Sequence, residues 1–290
     1  GGGRQMVTNR FLRYFNFLTF PELEDSAMRH IFSCILSTFV GTYLPEPLLA
    51  LCGPLIEATI HLYNVLVKEL LPTPAKPHYT FNLRDVAAVV QGLLAADPKS
   101  VFERADLCRL WLHECSRVFR DRLVSPEDRD WLDTLVADKV VPSHLAPDVL
   151  GCSWSDEGPA GGSVALAYGD FMEPDADPRV YAEIRDARKM ISVVEDYLEE
   201  YNAASPKKMP LVMFTDAVSH VSRISRVLRQ PQGNALLLGV GGSGRQSLTR
   251  LAAAMAHFDC FQIEVTKVYG KAEWRAGLQR VPPSGGQAAT

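Results

Sequence analysis

The residues with the most chemical content form one unbroken run, Gly239-Val240-Gly241-Gly242-Ser243-Gly244-Arg245-Gln246-Ser247. It follows the apolar stretch Ala235-Leu236-Leu237-Leu238 and precedes a helix-like segment from Leu248 to Ala256. A buried strand, a glycine-rich turn and a helix start, in that order, make an anion cradle. Glycine permits positive φ and close approach of the backbone, and the first N–H groups of a helix are free donors aimed at negative charge. Phosphate is the expected guest. Against the phosphate-binding pattern G-x-x-x-x-G-K-[ST], Gly239 and Gly244 fit. Arg245 stands where lysine reaches the β/γ-phosphates, and Gln246 stands where a hydroxyl holds Mg²⁺. Arginine keeps the charge but offers a planar fork instead of a compact ammonium. Glutamine is a poor Mg²⁺ ligand, and Ser247 lies one residue further round the helix, so nucleotide binding is expected to survive better than hydrolysis. The same residues also spell G-x-G-x-x-G through Gly239, Gly241 and Gly244, with Glu264 at about the distance of a ribose-binding acid. The loop alone leaves three readings open: a nucleoside triphosphate loop, a dinucleotide loop, and a strand-to-helix turn without a ligand.

Positioning such a loop takes a sheet and flanking helices, and the pattern along the chain reads as α/β with predominantly helical content. Phe11 to Phe20, rich in aromatic and β-favouring residues, reads as a strand, after which Pro21 opens a helical run through Val40. Ile56, Ile60, Tyr63, Val67 and Leu70 recur at three- and four-residue steps, an amphipathic helix that Leu71-Pro72-Thr73-Pro74 ends. Asn82 with Asp85 predicts a capped helix to Ala96, and a further helical pattern covers Glu103 to Leu123. Ser125-Pro126-Glu127-Asp128 starts the next helix with a capping residue, a first-turn proline and acids at the positive end of the dipole. Between Pro142 and Pro178 the periodicity fades into an irregular connection. Asp177-Pro178 is then expected to cap a long helix with Tyr181, Ile184, Ile191, Val194, Leu198 and Tyr201 on its apolar face. Another helix is expected from about Val212 to Arg229. Cys260 to Thr266 suits a second strand beyond the loop, the residues after it are too few to complete a parallel sheet, and 281–290 reads as a disordered tail.

Bulk composition narrows the classes. The chain has 290 residues, 47% hydrophobic and 22% charged, as expected of a globular protein with room for two or more domains. A net charge of −4 gives no electrostatic footprint for nucleic acid. Arg223, Arg226 and Arg229 fall on helical spacing and read as a solvated face or as a surface packed on a neighbouring module. Cysteines at 34, 52, 108, 115, 152 and 260 show no C-x-x-C and read as buried free thiols in a reducing compartment. The histidines are scattered, without a zinc spacing. No signal peptide is read at the N-terminus and no apolar stretch is read as long and charge-free enough to span a bilayer, so no membrane is expected and the chain is cytosolic in character.

Several segments together resemble the motor region of axonemal dynein heavy chains, a ring of AAA+ modules. Gly1 to Arg4, Arg10 to Asn16, Leu71 to Lys76 and Tyr79 to Asp85 are similar to the end of the third module, and Trp111 to Glu114 with Val118 to Arg122 to its helical lid. Glu200 to Asn202, Ser219-His220, Arg223-Ile224, Asn234 to Arg250, Phe261 to Glu264, Tyr269-Gly270 and Glu273 to Arg275 are similar to the start of the fourth. The likeness covers roughly residues 1 to 276. It implies partial AAA+ modules: the C-terminal part and helical lid of the third over 1–140, an irregular connection over 141–178, the N-terminal part of the fourth over 179–276, and a divergent tail over 277–290.

The resemblance favours nucleotide binding for the loop, because such heavy chains carry G-x-G-G-S-G-R-Q/S-S there, with Arg245 a family variation. It implies binding through Gly239, Val240, Gly241, Gly242, Ser243, Gly244, Arg245, Gln246 and Ser247. Arg84 matches a sensor-II arginine, and an arginine in the first turn of a capped helix is held firmly enough to contact an anion; the alternative is a surface salt bridge. Arg13, and after it Arg10, sits where a module offers an arginine finger to its neighbour; the alternative is an exposed strand-edge charge. The implied cofactor is ATP or ADP with Mg²⁺. The implied partners are neighbouring AAA+ modules, with intermediate chains, light chains and microtubules reached through parts absent here. The implied location is the cytoplasm, the cytoskeleton and the axoneme of a cilium or flagellum. The sequence starts after the third module's own phosphate-loop motifs and stops before the fourth module's Mg²⁺-binding acid, so neither site is expected to be complete and the isolated chain is expected to be inactive. The functional expectation is a piece of an ATP-driven, minus-end-directed microtubule motor carrying a regulatory nucleotide loop and an inter-module lid. The alternative is a non-catalytic interaction scaffold.

Overall fold

Helices dominate because apolar residues recur at helical spacing through most of the chain, and the computed structural model describes residues 7–20, 23–145, 166–174, 176–206, 208–263 and 270–279. Helix α1 covers Asn9–Leu12 and α2 covers Asp25–Tyr43, whose Met28, Phe32, Leu36 and Val40 form its buried stripe. A 3₁₀ turn at Glu46–Leu48 leads directly into α3, Leu49–Glu69. Helices α4 (Leu83–Leu93) and α5 (Arg104–Val118) pack on it. Helix α6 (Pro126–Leu135) runs through a π-turn at Val136–Val140 into α7, Val141–His144. Their inward faces share one core, with Leu36, Leu55, Leu62, Leu66, Val86, Leu93 and Phe119 buried around Trp111. The Trp111 indole N–H donates to Thr59 Oγ1 at 2.9 Å, and the Thr59 hydroxyl donates to the Leu55 carbonyl at 2.7 Å, so these two buried polar groups are matched.

Two caps form as the sequence predicts. Asn82 Oδ1 accepts the Arg84 N–H at 2.9 Å while Asp85 Oδ2 accepts the Asn82 N–H at 2.8 Å, closing a capping box at α4. Ser125 Oγ accepts the Asp128 N–H at 3.4 Å at the start of α6.

The second half begins with an antiparallel hairpin of β1 (Ala167–Gly169) and β2 (Ala182–Ile184), with Ala167 opposite Ile184 and Gly169 opposite Ala182. Helices α8 (Ala187–Ala204), α9 (Thr215–Arg229) and α10 (Arg245–Met255) follow, with α11 at Lys271–Gln279. Phe171, Val194, Leu198, Val218, Val221, Leu251 and Met255 belong to a second core shared by α8, α9 and α10.

Several expectations are corrected. Phe11 to Phe20 is not a strand: it is the end of α1, a turn, and an extended exposed segment, because no described strand lies alongside to complete a ladder. Tyr181 and Ile184 belong to the β2 end of the hairpin and not to a helix. The cap of α8 is Asp186, whose Oδ1 accepts the N–H groups of Arg188 at 2.9 Å and Lys189 at 3.1 Å. Neither Ala235–Leu238 nor the described part of the second expected strand, 260–263, pairs with another described strand, and all of these residues except Gln262 are exposed. Helix α3 with its leading turn, Glu46–Glu69, has a mean hydropathy of 1.4 and is long and apolar enough to cross a bilayer by length and composition, contrary to the sequence expectation. Its buried residues, from Leu51 to Leu66, line the bundle core, which accounts for that hydropathy. Cys52, Cys108 and Cys115 are buried thiols, but Cys34 and Cys260 are exposed. Cys152, Glu264, most of the irregular connection and the 281–290 tail lie outside the described residues.

Candidate functional site

Helix α9 ends at Arg229, and the chain reverses through a turn in which the Gly233 N–H donates to the Gln230 carbonyl at 3.0 Å. A Cβ at Gly233 would fall 1.8 Å from the Val227 carbonyl oxygen, so this reversal requires glycine. The backbone then runs extended to Val240 and turns through Gly242 (φ 83°) and Gly244 (φ 76°), both in the left-handed region that glycine enters without a steric penalty. Gly244 is the N-cap of α10 and supplies no side chain, so the first N–H groups of the helix, on Arg245, Gln246 and Ser247, have no intrahelical or capping partner. Leu248, Leu251, Ala252 and Met255 bury the inner face of α10 and hold that helix end in place.

Arg245 folds back over the turn. Its Nη1 donates to the Leu237 carbonyl at 3.3 Å and its Nη2 to the Val240 carbonyl at 3.1 Å. A Cβ at Gly239 would lie 3.6 Å from both Cδ and Nε of Arg245, which shows how closely the arginine stem covers that glycine. No described carboxylate pairs with it. The loop therefore holds a cationic fork beside N–H donors that no described residue caps, a donor set suited to phosphate oxygens. Gln246 is exposed and Ser247 is half-buried.

The other sequence-predicted residues are not gathered here. Arg84 is exposed in the first turn of α4, and the surface salt bridge considered for it does not form among the described residues. Arg10 is exposed on α1. Arg13 stacks on the Tyr14 ring, 4.6 Å from its centroid, and donates to the Tyr14 hydroxyl. None of the three bonds to the loop.

The arginine face of α9 is a packing surface within this chain. Arg223 Nε lies 3.6 Å from Asp121 Oδ2 and Arg229 Nε lies 2.5 Å from Asp170 Oδ2. Arg226 forks onto Glu114 of α5, with Nε 3.3 Å from Oε1 and Nη2 bonded to Oε2. Glu114 is fully buried, and the Tyr181 hydroxyl donates to its Oε1 at 2.9 Å. Burial pulls the Arg226 pKa down, but the Glu114 carboxylate outweighs this and holds it above the ordinary arginine value. Burial first, and then Arg117 and Arg226, push the neighbouring His113 well below the usual histidine range, so its ring is neutral. Sequence reading missed this cluster. The available signal was a carboxylate at 114 inside an otherwise apolar helix stripe, with an arginine ladder elsewhere to meet it.

A glycine turn opening onto a helix N-terminus is the arrangement of a phosphate loop, and the family matches make the class AAA+. Residues 209–289 match the family described as the P-loop containing dynein motor region D4, and residues 55–144 match the AAA+ lid domain. The chain belongs to the axonemal dynein heavy chains. It is 46% identical over 302 residues to dynein axonemal heavy chain 1 of Mus musculus and 47% identical over 302 residues to that of Homo sapiens. It is 40% identical over 283 residues to dynein axonemal heavy chain 6 of Homo sapiens. Each alignment covers 97% of this chain and 7% of the relative, so the chain spans a small part of the length of the proteins it matches.

Proposed function

We propose that this chain is part of an ATP-driven, minus-end-directed microtubule motor of cilia and flagella, and that Gly239 to Ser247 hold the phosphates of ATP or ADP at a regulatory site. The observation that carries the reading is the pair of left-handed glycines, Gly242 and Gly244, leading the backbone into α10 beside Arg245, which pairs with no described carboxylate and rests on the Leu237 and Val240 carbonyls. In this reading the N–H groups of Arg245, Gln246 and Ser247 meet phosphate oxygens, and the Arg245 fork exchanges two carbonyl acceptors for an anion. Bound ATP supplies the phosphoanhydride, with Mg²⁺ balancing its charge. Gln246, in place of a hydroxyl, makes occupancy rather than turnover the property of this loop. Arg84 as a sensor of phosphate, and Arg13 or Arg10 as a finger toward a neighbouring AAA+ module, belong to the same reading. So do a third-module lid over 1–140, a connection over 141–178, and the start of a fourth module over 179–276. Intermediate and light chains and microtubules would engage through other parts of the protein, in the axoneme.

A second reading is a scaffold without turnover. It is favoured by Gln246 standing where a hydroxyl would hold Mg²⁺. Equilibrium binding of fluorescent ATP and ADP separates the two, in the 290-residue chain and in a chain extended through the rest of the fourth module. In the extended chain, Arg245→Ala weakens affinity by about 1.5–3 kcal/mol, the range of a charge-assisted hydrogen bond. Gln246→Thr leaves affinity near unchanged and increases its Mg²⁺ dependence. Equal affinities for wild type and Arg245→Ala would overturn the assignment of Arg245, and absence of binding in the extended wild type would favour the scaffold.

A further inference from the structure

The buried cluster at Glu114 is more elaborate than stability alone asks for. A buried ion pair is often no more stabilising than apolar side chains of the same volume, because both charges lose their hydration. What a forked pair provides is orientation: two parallel bonds fix distance and angle together, whereas an apolar face lets two helices slide. Here the fork runs from Arg226 Nε and Nη2 to both oxygens of Glu114, and the Tyr181 hydroxyl takes a further lone pair on Oε1. Gly92 of α4 leaves the room for the carboxylate, since a Cβ there would lie 1.9 Å from Glu114 Oε2. The carboxylate therefore has one seat, made by α4, β2's approach and α9 together. The flanking contacts, Arg223 with Asp121 and Arg229 with Asp170, follow the same seam but with more exposed arginines, where ion pairs contribute little.

Arg226 lies in the last turn of α9, just ahead of the turn that leads into the glycine loop. Helix α9 also packs on α10, and Val218 and Val221 of α9 belong to the same buried cluster as Leu248 and Leu251 of α10. We infer that Glu114 is a positioning residue for the phosphate loop: seated in the helical bundle, it sets the bearing of α9 through Arg226, and α9 sets that of α10 and its N-terminal donors. The inference deepens the proposed nucleotide site and rests on it for its ligand, but its mechanical half stands without any ligand. Reciprocity follows from linkage: a ligand that orders the loop must also order α5 around Glu114.

The test is amide hydrogen exchange on the full chain, with Glu114→Gln, which keeps the shape and removes the charge, and Arg226→Lys, which keeps the charge and removes the fork. Expected are exchange rates in α9 and α10 raised at least tenfold by Glu114→Gln and by a smaller factor by Arg226→Lys, with α2 and α3 unchanged. Uniform acceleration across all helices in both variants would mean that the pair is merely structural and would overturn the inference, as would unchanged α10 exchange. In the chain extended through the rest of the fourth module, ADP should slow exchange in α5 of the wild type and fail to do so in Glu114→Gln. If ADP slows α10 but not α5 in the wild type, the coupling is refuted while the nucleotide site stands. If ADP binds nowhere, the nucleotide site fails, and the ligand-free exchange pattern still decides the mechanical claim.

Discussion

Replacing Gly92 by alanine sets two opposed effects against each other, and the structure decides the sign. Gly92 lies in the last turn of α4 with ordinary helical backbone, where alanine is favoured over glycine by about 1 kcal/mol. Against this, the new Cβ would stand 1.9 Å from Oε2, 2.3 Å from Cδ and 2.6 Å from Cγ of Glu114. No small rotation clears three such contacts, so the carboxylate must leave its seat. A free surface glutamate would do so at little cost, but this one is held by Arg226 and Tyr181 and is fully buried. Displacing one member of a buried pair costs about 3–5 kcal/mol, because the partner charge remains without compensation. The expected net destabilisation is therefore about 2–4 kcal/mol. Urea unfolding midpoints measure it. The decisive comparison is the same substitution in a Glu114→Ala background, where the obstruction is gone and Gly92→Ala should stabilise by about 1 kcal/mol. An equal cost in both backgrounds, or a stabilised single variant, would refute the reasoning.

Two further outcomes are expected. Asn82→Ala should destabilise by about 1 kcal/mol through loss of the capping box at α4, while Asn82→Asp should retain most of the stability, as read from thermal unfolding. Burial pushes the Asp128 carboxyl upward, but bonds from Lys76, Ser125 and Tyr79 overcome it and bring it from 3.8 to about 2. Because the folded value lies below the unfolded one, the stabilisation is present above about pH 4 and is lost as pH falls through about 2. Asp128→Asn should flatten that part of the curve of unfolding midpoint against pH, and an unchanged acid limb would count against the assignment.

What the sequence made legible was whatever a few neighbouring residues decide. Asn82 with Asp85, and Ser125 with Pro126, announce helix starts because a cap is a contact within one turn. Gly242 and Gly244 announce the loop because positive φ is a local demand. The start of α8 differs from the expected one because Asp177 and Asp186 both have a capping side chain, and the choice between them is made by residues 182–184 pairing with β1 instead of entering a helix. Ala235 to Leu238 carries a strand's composition, yet a strand exists only where another lies beside it, and composition cannot supply one. Glu114 and Arg226 are 112 residues apart, so each looked like an isolated charge until the fold joined them.

The segment that leads into the phosphate loop has a consequence of its own for the behaviour of the chain in solution. Leu236, Leu238 and Val240 are exposed on extended backbone, with Phe261 and Ile263 exposed beyond α10. Extended apolar chain with unpaired amide groups is adhesive: it offers a template to any other extended strand, including that of a second molecule. Since Gly239 and Val240 are at once the end of this segment and the beginning of the loop, recruitment of the segment into intermolecular pairing would pull the turn out of shape. If the loop binds nucleotide as proposed, self-association and ligand binding would then compete for the same few residues. Apparent nucleotide affinity should accordingly fall as protein concentration rises, and a soluble peptide or added charge that blocks the adhesive edge should restore it.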